Sequence, residues 1–83
     1  MTDHTKALMI LETAFELAIC GSIVPLLEAT VEHRFRRTDP AVEIAKAAYE
    51  KVRLREIGDR KPKPDEIGDL FLKAWTELRG VPA

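Results

Sequence analysis

Cys20-Gly21-Ser22-Ile23-Val24-Pro25 is the stretch that decides the fold. A helix running unbroken from Lys6 to Arg37 would be a rod of about 48 Å, well beyond the ~30 Å of a small domain. Gly21 suits the left-handed residue that closes a helix, and Ser22 suits the N-cap of the next. Pro25 then falls in a first turn, where its missing N–H costs little. Gly-Ser followed by Pro is also a kink signature, so a bent continuous helix is the alternative. The break is the favoured reading, and it places two helices over 5–20 and 23–37.

On the N-terminal side, Leu8, Leu11, Phe15 and Ala18 form one stripe at helical spacing. Ala7, Ile10, Ala14 and Leu17 widen it on one flank and Ile19 on the other. The apolar arc covers roughly 200° of the helix, leaving Lys6, Glu12, Thr13 and Glu16 as the clear polar face. A helix this apolar touches protein on more than one side. On the C-terminal side, Val24, Leu27, Val31 and Phe35 share the face expected to enter the core.

Thr38-Asp39-Pro40 closes the second helix and opens a third, with Asp39 as N-cap and Pro40 at the first helical position. The third helix is expected over 40–57, burying Ala41, Val42, Ala45, Ala48, Tyr49 and Val52 and ending at Gly58. Residues 58–64 alternate prolines with lysines and read as an extended linker. The fourth helix covers about 65–79, with Ile67, Phe71, Ala74, Trp75 and Leu78 as its stripe and Asp65 and Glu66 complementing the dipole of its first turn. The tetrapeptide Glu-Ile-Gly-Asp occurs at 56–59 and again at 66–69. In the second copy, Gly68 lies inside the helix or Asp69 caps a later start; both remain open. The fold class is therefore all-α, a compact four-helix bundle-like domain.

With 83 residues there is room for a single domain, which buries only about 60% of its unfolded surface. Net charge is −1, but its distribution is uneven: −4 over residues 1–32, +5 over 33–63 and −2 over 64–83. Cys20 is the single cysteine, so no internal disulfide forms. No apolar run is long enough to cross a membrane, and no basic segment precedes a long apolar core. A cytoplasmic protein without membrane contact is expected.

Catalytic chemistry finds little support. His4, Cys20 and His33 lack metal-ligand spacing and a paired base. Glu12 and Glu16, one turn apart, read as a solvated face. There is neither a glycine-rich phosphate loop nor a nucleophile elbow. No enzyme, cofactor or metal is expected.

Two partner surfaces remain. Arg34, Arg36 and Arg37 crowd the end of the second helix, where cations complement the dipole at about 0.3–1 kcal/mol each. Together with Arg53 and Arg55 they are the candidate contacts for an acidic partner or a phosphate. The second surface is apolar: Ile10, Leu17, Leu26, Ile44 and Leu54 are surplus to single core faces and are the candidate interface. A small chain with surplus apolar positions often completes its core as a homodimer. The leading expectation is a non-enzymatic interaction protein (adaptor, inhibitor or regulatory subunit) that offers a helical surface to a protein partner. The alternative is nucleic-acid binding through the basic middle third.

Overall fold

The computed structural model describes residues 1–82. It is all-α, with helices α1 (Asp3–Ile19), α2 (Pro25–Glu32), α3 (Pro40–Ile57) and α4 (Pro64–Arg79) packed as a four-helix bundle-like domain. α1 is the central helix. It packs against α4, α2 and α3, and α3 packs in addition against α4. Much of the wide apolar arc of α1 is thus covered within the chain: Ala7, Ile10, Leu11, Ala14 and Ala18 are all buried, while Ile19 on its flank stays 65% exposed. Ala29 of α2, Ala41, Ala45 and Val52 of α3, and Leu70, Phe71 and Ala74 of α4 complete the core.

The break after α1 is real. Gly21 sits at φ +94°, its N–H donates to the Ala18 carbonyl at 3.1 Å and the Ser22 N–H to Leu17 at 3.0 Å. This pair of bonds is the Schellman closure, which a glycine enters without a Cβ penalty. α2, however, is shorter than expected at both ends. Val24 precedes a proline, is therefore held out of the helical region, and adopts φ −133°. Ser22 does not cap the helix; its hydroxyl accepts from the Val24 N–H at 3.3 Å and donates to Glu28. At the other end α2 stops at Glu32 rather than running to Arg37. The Arg34 N–H reaches the Val31 carbonyl at 2.9 Å and the Phe35 N–H reaches Thr30 at 3.1 Å. That is a second Schellman closure, with Arg34 at φ +60° in the place glycine usually takes.

The orientation of α2 corrects a further expectation. Its buried residues are Pro25, Ala29 and Thr30, while Val24, Leu27 and Val31 are 46%, 38% and 60% exposed. The small Ala29 lets α2 lie close on α1, and the branched side chains are turned outward. Phe35 is partly buried, but it reaches the core from the turn beyond the helix.

α3 begins and ends where expected. Asp39 caps it by accepting the Ala41 N–H at 2.9 Å and pairs with Lys6 of α1 at 3.2 Å. The Ala41 N–H, ahead of Lys6, holds the Asp39 carboxyl below the usual carboxylate range. α4 starts at Pro64, so Gly68 lies inside it and is buried against the end of α1. Glu66 secures the first turn: its carboxylate accepts the Lys63 N–H at 2.9 Å and takes two hydrogen bonds from Arg60, at 2.8 and 2.7 Å.

Candidate functional site

A groove forms where α2 and α3 stand apart. Because α2 packs on α1 and does not lie along α3, the space between them is open to solvent, with a volume of about 630 Å³. The wall formed by α2 and the two residues before it is mostly apolar: Ile23, Val24, Pro25, Leu26 and Leu27, with Thr30. The opposite wall takes Val42 and Tyr49 from α3, Ile67 and Phe71 from α4, and Pro62 from the linker. Tyr49 and Phe71 form a tilted aromatic pair with centroids 4.3 Å apart. Burial pushes the Tyr49 phenol above its ordinary value, so it stays protonated at neutral pH.

Along α3 the groove residues are Val42, Glu43, Lys46, Tyr49 and Glu50. They fall on one helical face and extend about 12 Å. Arg37, from the connection before α3, and Lys61, from the connection after it, also line the groove. Glu50 is neutralised by Arg53, whose guanidinium donates to it at 2.7 and 3.2 Å.

The expected site residues are distributed differently from the sequence reading. Ile10 is completely buried in the core and offers nothing to a partner. Leu17, Leu26 and Ile44 are partly buried and pack against the core of their own chain, with only Leu26 also lining the groove. Leu54 stands 50% exposed, away from the groove. Conversely, Val24 and Leu27, expected in the core, line the opening. The inversion comes from Ala29, whose small side chain allows close approach to α1 on the opposite face of α2.

The cations likewise separate into two groups. Arg53 belongs to the end of α3: besides holding Glu50 it donates to the Gly58 carbonyl at 3.1 Å. Arg55 is clamped across to α4 by Glu77, with one bond at 2.8 Å and a second, shorter one. Both guanidiniums are therefore engaged within the chain. Arg34, Arg36 and Arg37 are exposed and, among the described residues, have no carboxylate partner. They fan around a turn tied to α1. His33 fixes it by a 2.7 Å hydrogen bond to Thr13 of α1, and stacks on Phe35 at 5.6 Å. Lys6 covers the same ring at 5.4 Å.

A smaller hollow, about 160 Å³, lies between α1 and α4 beside Glu12, Phe15, Glu16, Leu72 and Trp75. The Arg79 guanidinium lies over the Trp75 ring, at 5.1 Å. Among the described residues no group of three or more histidine, cysteine or carboxylate side chains could hold a metal ion, and no helix is long and apolar enough to cross a membrane. Cys20 is exposed, at the α1 closure and away from the groove. No family model matches the chain, and neither a curated protein nor a solved structure shows detectable similarity to it.

Proposed function

We propose that this chain is a non-enzymatic interaction protein, an adaptor, inhibitor or regulatory subunit, that receives a helix of a protein partner in the groove between α2 and α3. The observation that carries this reading is the outward turn of Ile23, Val24 and Leu27 beside an unfilled space whose far wall presents Val42, Tyr49, Ile67 and Phe71 among charged side chains. Ile23 is 90% exposed, and branched side chains turned to water beside a hollow mark a surface awaiting cover. A helix laid in such a groove buries one apolar face along its length. A small molecule, by contrast, would leave much of its surface in solvent, whereas ligand pockets enclose most of theirs.

The test is a photoreactive residue in place of Leu27, with Leu72 as the control position, followed by binding of the captured partner as a purified protein. The expected result is an adduct from position 27 alone and about tenfold weaker binding by Leu27→Glu with folding unchanged. Equal binding by Leu27→Glu removes the groove from the account.

A second reading has its own observation, the unpartnered arginines of the α2–α3 turn. Three cations without internal carboxylates suit phosphates. Anisotropy of labelled DNA and RNA at about 50 and 200 mM salt checks this: affinity falling steeply with salt and lost in the Arg34→Ala, Arg36→Ala, Arg37→Ala variant supports it. Binding indifferent to that variant removes the turn from the account.

A further inference from the structure

We infer that the helix received by the groove is acidic along its flanks: two to three turns carrying apolar anchors at i, i+4 and i+7, bordered by glutamate or aspartate. This deepens the proposed function and rests on the groove reading. The argument is charge complementarity. Three cations line the groove, Arg37, Lys46 and Lys61, and among the described residues none is in an ion pair. Of the two carboxylates on the same rim, Glu50 is held by Arg53, leaving Glu43 alone uncompensated.

The surplus charge is therefore positive, and its placement is informative. Arg37 and Lys61 come from the connections before and after α3, and Lys46 lies between them on the roughly 12 Å of α3 that lines the groove. A ligand with one anionic group would meet one of these cations. A helix lying parallel to α3 meets all three, with its carboxylates spaced along one edge. Arg34 and Arg36, close to Arg37 in sequence and also without carboxylate partners, extend the positive field beyond one end of the groove. Charges on such a rim select among partners and speed their encounter more than they add affinity.

The experiment uses two labelled helical peptides of about 14 residues, identical at their leucine anchors and carrying either glutamates or lysines at the flanking positions. Each is titrated with the full chain at about 50 and 500 mM salt. The expected result is at least about tenfold tighter binding of the glutamate peptide at low salt, with the gap narrowing at high salt. The variant Arg37→Glu, Lys46→Glu, Lys61→Glu should reverse the order and so report a folded, working groove by its own gain. Equal affinity for the two peptides, lowered alike by Leu27→Glu, would overturn the charge selection and leave the helix-receiving groove standing. Binding of neither peptide would overturn both. Dimerisation abolished by Leu27→Glu would assign the groove to a second copy of this chain, and RNA competing with the glutamate peptide would assign its rim to a nucleic acid. Either result overturns the inference.

Discussion

Arg34 holds φ +60° at the close of α2, a conformation that costs an L-residue about 1–2 kcal/mol. Two closing hydrogen bonds and the entry of Phe35 into the core keep it there. Glycine at this position would relieve the strain, at some cost in unfolded-state freedom. Arg34→Gly should raise unfolding free energy by about 0.5–1 kcal/mol, read from urea midpoints at constant slope. Gly68 is the converse case. It lies inside α4 where a Cβ would meet Ile19 Cγ1 at 3.6 Å, an ordinary contact. Gly68→Ala should therefore stabilise by up to about 1 kcal/mol through helix propensity, measured in the same way. Destabilisation would show that the end of α1 cannot yield to the added methyl group.

At the scale of the element, the first turn of α4 depends on one carboxylate. Arg60, followed by the Lys63 N–H, lowers the pKa of Glu66 from 4.5 to about 2. A carboxyl depressed in the folded state contributes stability that is fully present above pH 4.5 and is lost as pH falls toward 2. Glu66→Gln should flatten the acid side of the stability profile in that window, followed by thermal midpoints at pH 5 and pH 2.5. An acid limb as steep as that of the parent protein would exclude Glu66 as its source. The boundaries of α3 were legible because Asp-Pro and Gly act locally: one caps, one presets φ, one closes. The facing of α2 was not. On eight residues and their N-cap Val24, the stripe of Val24, Leu27 and Val31 and the stripe of Pro25, Ala29 and Thr30 both satisfy helical spacing. Hydrophobicity favours the first. Close approach to α1 favours the second, and that approach is a tertiary property. The closure at Arg34 escaped for a related reason: no side-chain type announces a left-handed arginine.

For the whole molecule, the central place of α1 explains why its surplus of apolar residues was readable as several contacts and misleading as an outer interface. Ile10 fills the interior because three helices cover α1. The same topology ranks the helices by stability. α1 is held by three helices, whereas α2 rests chiefly on α1, and elements with few buried contacts open first. Amide hydrogen exchange should show α2 and its flanking turns exchanging well before α1, and an occupied groove should slow α2 selectively. Uniform protection across both helices would contradict this ordering.

Ala29 has a consequence for recognition that follows from its size. It is the buried spacer of α2 in the core, and α2 is bounded by left-handed residues, Gly21 before it and Arg34 after it. On the proposed reading, the short helix would be the movable wall of the groove, its distance from α1 set by one methyl-sized spacer. A bulkier residue at position 29 would shift this wall while the α1–α3–α4 assembly stayed shut, retuning the girth of the admitted helix without touching any residue that lines its berth.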